Sequence, residues 1–192
     1  MKGIFFDTET TGLPKNWKAS MRDVDNWPRV IQLAWVVCEG GELIKEEKHL
    51  ILPVGWVMPT EKFWIDNGFS QEKSLKEGSE IEHVLTLFLA DHSECDYMVS
   101  HNMSFDYNVL GAEFIRSGMK GDKTIRKICT KEMGTDLCEL PGPYGWKWPK
   151  LIELHEFLFN KGFDGAHDAL ADVKACMRCF FEMVNRGSIT LS

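Results

Sequence analysis

Two acidic side chains close the first apolar stretch of the chain, where Asp7 and Glu9 follow Phe5 and Phe6. Alternate residues of a β-strand face the same side, so a strand here would place both carboxylates together. Adjacent carboxylates repel each other unless a cation lies between them, and divalent metal ions prefer oxygen ligands of this kind. The pair therefore indicates either a metal site or a solvated acidic strand end, and its partners elsewhere in the chain must decide.

The first candidate partner is Asp106, the last residue of the stretch HNMSFD at 101–106. It follows a short predicted strand at 97–100, and functional sites of α/β sheets are usually built at the C-terminal ends of strands. A helix is predicted to run from about 103 to 116, with Asp106 in its first turn. The helix dipole alone also favours an acid at that position, so Asp106 is not diagnostic by itself.

The second candidate partner is the pair His167 and Asp172, within the stretch GAHDALAD at 165–172. On one continuous helix these two side chains would diverge by about 140°. They converge only if His167 precedes the helix, an arrangement that Gly165 and an N-cap at Asp168 favour. The alternative is an ordinary surface histidine beside a helix whose small residues pack against a neighbour.

The elements that must position these residues form an α/β pattern. Ser79 is predicted to cap a helix, with Glu82 completing a capping box. The segments at 53–79 and 140–145 are expected to be irregular, and a length of 192 residues is most simply one domain, 1–192. The predicted strands are 2–7, 29–38, 43–52, 97–100 and 125–129, and the later helices are 103–116, 149–160 and 168–185.

Composition narrows the class of protein further. The contents of 44% hydrophobic and 27% charged residues are typical of globular proteins, and no apolar run is as long as a membrane span, so we expect a cytoplasmic protein with no membrane partner. The net charge of −7 argues against a broad phosphate-binding surface. It is compatible with a nucleic-acid substrate if clustered carboxylates hold metal ions. A basic run is interpreted first as a solvated face: Lys120, Lys123, Arg126, Lys127 and Lys131.

Three stretches together resemble the motifs of the DEDDh exonucleases: DTETTGL at 7–13, H-N-x-x-F-D at 101–106 and H-x-A-x-x-D at 167–172. This DnaQ-like group includes RNase T, oligoribonucleases and the proofreading subunit of bacterial DNA polymerase III. The motifs occur in the family's order and span nearly the whole chain. The resemblance implies a ribonuclease H-like fold with a central mixed five-stranded sheet. It also implies a 3′–5′ exonuclease that releases nucleoside monophosphates from the 3′ ends of single-stranded DNA.

The resemblance also implies a role for each motif residue. His167 would be the general base, a task that suits the usual imidazole pKa of about 6.5. Two Mg²⁺ or Mn²⁺ ions would activate the attacking water and stabilise the leaving 3′ oxygen. The carboxylates that would hold these ions are Asp7, Glu9, Asp106 and Asp172.

Four further positions match residues that line the pocket for the 3′-terminal nucleotide, with Leu13 as an apolar wedge. The segment NGFS at 67–70 resembles the family's H-G-I-T segment, with Asn67 in place of the usual histidine. The four predicted substrate contacts are Thr10, Leu13, His101 and Phe105.

Other hypotheses stay open at this stage. The substrate could be RNA ends or short oligoribonucleotides, although the form DTETTGL favours DNA slightly, and a non-catalytic nucleic-acid-binding relative is a further alternative. The chain ends 20 residues after Asp172, so we expect no polymerase-tethering tail. Trp146 and Trp148, interleaved with Lys147 and Lys150, are interpreted either as loop anchors or as a stacking platform for unpaired bases.

Overall fold

A five-stranded mixed sheet forms the centre of the protein, whose computed structural model describes residues 1–121 and 124–190. The strand order is β3-β2-β1-β4-β5. β1 pairs antiparallel with β2, and β2 with β3, whereas β4 is parallel to both β1 and β5. The predicted α/β class and mixed sheet are therefore confirmed. The strands are β1 (Lys2–Thr10), β2 (Val30–Glu39), β3 (Glu42–Leu50), β4 (Tyr97–Ser100) and β5 (Arg126–Cys129).

Helices cover both faces of this sheet. Because side chains alternate along β1, Phe6 packs against Phe88 from the first helical layer, whereas Phe5 packs against Phe180 from the second. The first layer contains α3 (Ile81–Ser93) and α4 (Met103–Arg116), and the second contains α7 (Leu151–Phe159) and α8 (Ala169–Asn185). Shorter helices are α1 (Lys62–Asp66), α2 (Gln71–Glu77), α5 (Thr130–Met133) and α6 (Thr135–Cys138).

The first strand is longer than predicted and includes both acidic residues. Pairing with β2 continues from Lys2 to Thr10, with a register shift between Glu9 and Thr10. The neighbouring strand supplies hydrogen bonds for the polar end of β1, which a hydrophobicity pattern does not show. Asp7 and Glu9 therefore lie on one side of a paired strand, as predicted.

The predicted capping box at Ser79 is wrong. Helix α3 begins at Ile81 with Glu80 at its N-cap. The backbone of Ser79 is instead paired with the end of β3, since its N–H donates to the Leu50 carbonyl and its own carbonyl accepts from Leu52. A residue held in strand-like pairing is not placed to cap the next helix.

Two segments predicted to be irregular contain regular structure. The stretch 53–79 forms α1 and α2, and the glycine-rich stretch after residue 140 forms a hairpin of β6 (Pro141–Gly142) and β7 (Gly145–Trp146). Gly145 has a φ of 121°, which is why a glycine fits this tight turn. Of the predicted basic run, Lys123 lies outside the described residues. Within the described part of the chain, no helix is long and apolar enough to cross a membrane.

Candidate active site

The acidic side chains of β1 lie next to the beginning of α8. Asp7 and Glu9 share the side of β1 that faces this helix, together with Phe5. The first N–H group of the helix, that of Ala169, donates to Oε1 of Gln32 on β2 at 2.9 Å. A buried glutamine within an apolar strand thus satisfies a helix-end donor and fixes the N-terminus of α8 against the sheet.

Asp106 approaches the same end of β1 from the first turn of α4. Its carboxylate is 3% exposed, and Oδ1 accepts a hydrogen bond of 2.8 Å from Thr8 Oγ1. Asn102, with a φ of 107°, makes the sharp change from β4 into α4. The left-handed conformation is one that asparagine tolerates better than most residues. The short β4–α4 connection therefore brings Asp106 to β1, about 100 residues away in sequence.

His167 lies on the loop before α8, as its spacing from Asp172 predicted. Its φ of 70° turns the chain, and its N–H donates to Asp172 Oδ2 at 3.0 Å. Asp168 follows as the N-cap and accepts from the Ala171 N–H at 3.2 Å. The side chains of Glu9, His167 and Asp172 each have an atom that could bind a metal ion, and these three atoms lie within 4.8 Å of one another.

Burial and mutual repulsion make the acidic cluster costly when it carries no cation. Burial, followed by the neighbouring carboxylates, raises the pKa of Glu9 to about 8 and that of Asp7 well above its usual range. Burial also raises the pKa of Asp106 to about 7 and that of Asp172 to about 6, against the opposing effect of their hydrogen bonds. Protonation of these carboxylates would therefore compete with the binding of metal cations near neutral pH.

The donor set fits hard divalent cations. Four carboxylates supply oxygen ligands, which Mg²⁺ and Mn²⁺ prefer, and a bound cation would remove the repulsion that raises their pKa values. His167 adds an imidazole beside two of these acids. One cation near the cluster is Lys48 on β3, whose Nζ forms an ion pair with Asp168 at 2.8 Å.

The predicted substrate contacts have different surroundings. Leu13 is 72% exposed, and the half-buried Phe105 ring packs against Trp17 with centroids 5.8 Å apart. Both side chains therefore contribute apolar surface. The Thr10 hydroxyl donates to the Gly12 carbonyl at 2.8 Å, and its carbonyl accepts from Trp64 Nε1 at 3.0 Å.

His101 is engaged by the protein at both ring nitrogens. Nε2 lies 3.0 Å from the Pro149 carbonyl, and Nδ1 lies 2.9 Å from the Thr130 hydroxyl. Burial lowers the pKa of His101 to about 4, so the ring is neutral, donates from Nε2 and accepts at Nδ1. His101 therefore joins the end of β4 to the first residue of α5 and to the segment before α7.

Several residues around the cluster were not anticipated. Phe63 on α1 packs edge-on against the His167 ring, with centroids 5.0 Å apart, and the neighbouring Trp64 donates to β1. Thr8, Gln32 and Lys48 orient acidic residues or α8 from within the sheet. Gln32 carried a signal, since it is a polar residue inside the apolar run of β2. The aromatic pair lay in a segment predicted to be irregular.

The segment at 67–70 separates two short helices. The Asn67 side chain donates to the Phe63 carbonyl at 2.8 Å at the end of α1, and Ser70 caps α2 by accepting from the Lys73 N–H. Phe69 is buried with Ile31. Asn67 therefore helps to end the helix that carries Phe63.

Known structures share this fold. The E. coli exonuclease I bound to a dT13 oligonucleotide has a TM-score of 0.72 and 17% sequence identity, over 96% of this chain and 41% of that chain. The moderately thermophilic exonuclease I from Methylocaldum szegediense has a TM-score of 0.72 and 20% identity, over 96% of this chain and 40% of that chain. The chain thus spans less than half the length of these proteins. The similarity supports the predicted ribonuclease H-like fold.

Sequence comparison adds the family. No curated protein has a significantly similar sequence. A family model, RNase T, described as an exonuclease, matches residues 4–180, which includes all three predicted motifs. In the structure, those motifs lie together at the C-terminal ends of β1 and β4: on β1, at the start of α4 and at the start of α8. The chain therefore belongs to the RNase T family of exonucleases, in the DEDDh group.

Proposed function

We propose that this chain is a metal-dependent 3′–5′ exonuclease that releases nucleoside monophosphates from single-stranded DNA, with residues 1–192 forming one exonuclease domain. The observation that carries the proposal is the convergence of a strand, two helix starts and a loop on one acidic cluster. Asp7, Glu9, Asp106 and Asp172 come from separate parts of the sequence, and His167 lies within 4.8 Å of two of them. A purely nucleic-acid-binding relative has no need of buried, mutually repelling acids.

The four carboxylates would hold two Mg²⁺ or Mn²⁺ ions. When bound, these ions would supply an activated water and neutralise charge on the leaving 3′ oxygen. His167 would take a proton from the attacking water at a ring nitrogen. Its exposed position lets the ring reach solvent and substrate, while the Phe63 contact restricts its rotation. Gln32 and Lys48 would hold the start of α8, and so the backbone of His167, in place.

Substrate contacts would follow from the apolar rim. The exposed side chain of Leu13 and the Phe105–Trp17 pair would contact the bases nearest the 3′ end, beside the Thr10 turn. His101 would act on this pocket through the segments that it joins. DNA is favoured as the substrate because solved relatives of the same fold are exonuclease I bound to dT13 and dA16 oligonucleotides. Exoribonuclease activity is the alternative.

The test is degradation of 5′-labelled single-stranded DNA, duplex DNA and RNA of matched sequence, with Mg²⁺, Mn²⁺ or EDTA. We expect a ladder of products that shorten by one nucleotide on single-stranded DNA, and no products in EDTA. The Asp7→Asn variant is the matched control for a contaminating nuclease. Activity that survives EDTA or Asp7→Asn would contradict the proposal, and faster loss of RNA would select the exoribonuclease alternative.

A further inference from the structure

Large aromatic side chains are concentrated at the β6–β7 hairpin, outside the acidic cluster. Trp146 is 53% exposed, Trp148 is 62% exposed and Tyr144, at the turn, is fully exposed. The two tryptophans line one open recess formed by residues 142–148. The other described tryptophans, Trp17 apart, are less exposed than these two. Indole rings that a fold leaves uncovered are suited to binding a flat partner.

The recess is attached to the C-terminal end of β4, close to the acidic cluster. Lys131 Nζ lies 4.3 Å from the centroid of the Trp148 ring and donates to Asn102 Oδ1. Asn102 is the residue from which α4, with Asp106, begins. The next residue after the tryptophan, Pro149, accepts a hydrogen bond from His101 at 3.0 Å. Two separate contacts therefore fix Trp148 at the C-terminal end of β4.

This attachment leaves one ring surface available. The Lys131 ammonium covers one face of Trp148, while more than half of the side chain stays exposed. A cation held against one face of an indole ring restrains the ring and adds positive charge to a chain that is otherwise acidic. Lys147 lines the same recess, and its ammonium forms an ion pair with Glu153. Aromatic faces interleaved with lysines are typical of surfaces that bind single-stranded nucleic acid.

We propose that Trp148 and Trp146 form a stacking subsite for unpaired bases upstream of the 3′-terminal nucleotide, with Lys131 as the residue that positions Trp148. This inference rests on the proposed exonuclease function and names its substrate class, since the successive bases of a single strand expose the flat faces that these rings can stack on. The hairpin would hold the incoming strand while the acidic cluster cuts its end. Duplex ends would gain nothing from this subsite.

The test compares a long and a minimal substrate. The long substrate is a single-stranded dT oligonucleotide of about 12 nucleotides. The minimal one is the p-nitrophenyl ester of thymidine 5′-monophosphate, which has no upstream bases. We expect Trp148→Ala to raise KM for the oligonucleotide by about 5- to 150-fold, the range for losing one stacked base. We expect kcat, and the rate with the ester, to change by less than about twofold.

Matched variants separate stacking from folding. Trp148→Phe keeps an aromatic face and should restore most of the oligonucleotide affinity. Lys131→Met should raise KM for the oligonucleotide. Lys131→Arg should keep KM close to the wild-type value, because arginine also packs on indole faces. Phe157→Ala removes an exposed aromatic from α7 and should change neither substrate's kinetics.

Two outcomes overturn different statements. An unchanged KM in Trp148→Ala, with active wild-type protein, would overturn the stacking subsite and leave the exonuclease proposal intact. Wild-type protein that hydrolyses neither substrate would overturn the exonuclease proposal. In that case the anisotropy of the labelled oligonucleotide in EDTA still decides the subsite, because equal affinity of wild type and Trp148→Ala would overturn it and weaker binding by the variant would support it.

Discussion

Helix α4 carries two buried carboxylates about two turns apart, and their surroundings are opposite. Glu113 is 1% exposed, and its Oε1 accepts from Arg29 Nε at 2.8 Å and lies 2.9 Å from a terminal nitrogen of Arg116. The Val30 N–H also donates to it at 3.1 Å. Asp106 is 3% exposed, accepts from the neutral Thr8 hydroxyl and shares its surroundings with other acids.

The difference separates a structural charge from a charge that awaits a ligand. The Arg116 guanidinium also donates to the carbonyls of Val24 and Trp27, so the Glu113 network fastens the loop before β2 to α4. Its negative charge is balanced within the protein, as buried charges usually are. The acidic cluster lacks that balance among the described residues that form it, and this imbalance is the physical argument for a cation.

The largest effect is expected for Asp7→Asn. Hydrolysis should fall to background because a metal ligand is lost, while the free energy of unfolding in EDTA should rise by about 1–3 kcal/mol as repulsion is removed. The product ladder and urea denaturation measure the two effects. Retained hydrolysis would contradict the assignment of Asp7 as a ligand, and a less stable variant would contradict the account of the cluster as repulsive.

Removal of the His167 imidazole should lower kcat by about 10²- to 10⁴-fold, the usual range for a general base. His167→Ala tests this directly, and His167→Asn is the better control because asparagine tolerates the φ of 70° at this position. Single-turnover rates and thermal melting should be measured together. A variant that fails to fold, with asparagine as well as alanine, would show that the histidine is structural.

Glu113→Gln should destabilise the protein by about 3–5 kcal/mol, because the neighbouring guanidinium groups lose their buried counter-charge. The free energy of unfolding from urea titration measures this loss. The kcat of the folded fraction should stay close to that of the wild type, in contrast to Asp7→Asn. A stability loss below about 1 kcal/mol would show that the two clusters are less different than their geometry indicates.

The smallest effect is expected from pH without metal. The pKa values of Glu9, Asp106 and Asp172 are raised to about 8, 7 and 6, so the folded state binds more protons than the unfolded state above pH 4. In EDTA, the free energy of unfolding is therefore highest near pH 4 and falls as the pH rises to 8.

Between pH 5 and pH 8 in EDTA, the loss in the free energy of unfolding should be at least about 1.4 kcal/mol, or about 3–6 °C in Tm for a chain of this size. Mn²⁺ or Mg²⁺ should recover Tm at pH 8 and have little effect at pH 5, where protons already neutralise the acids. Differential scanning calorimetry measures both. In Asp7→Asn, Tm in EDTA should depend less on pH than in the wild type. An unchanged slope of Tm against pH would show that the acidic cluster does not cause this dependence.

The strands and helices that the site needs were largely predictable, because short-range periodicity encodes them. β4 and α4 have the predicted bounds, and the glycine and capping residue before α8 correctly placed His167 on a loop. Predictions failed where a distant partner decides the local structure. Ser79 pairs with β3 instead of capping α3, and the end of β1 is held by β2 beyond its apolar stretch.

The sequence by itself determined the family, the five motif residues and the sharing of one strand face by Asp7 and Glu9, since motif spacing and side-chain alternation are local properties. Only the tertiary structure decided which residues surround them. The contacts from Gln32 to α8 and from Lys131 to Trp148 join parts of the chain that no periodicity relates. Such contacts depend on how the helices pack on the sheet, so their partners become visible only in the folded chain.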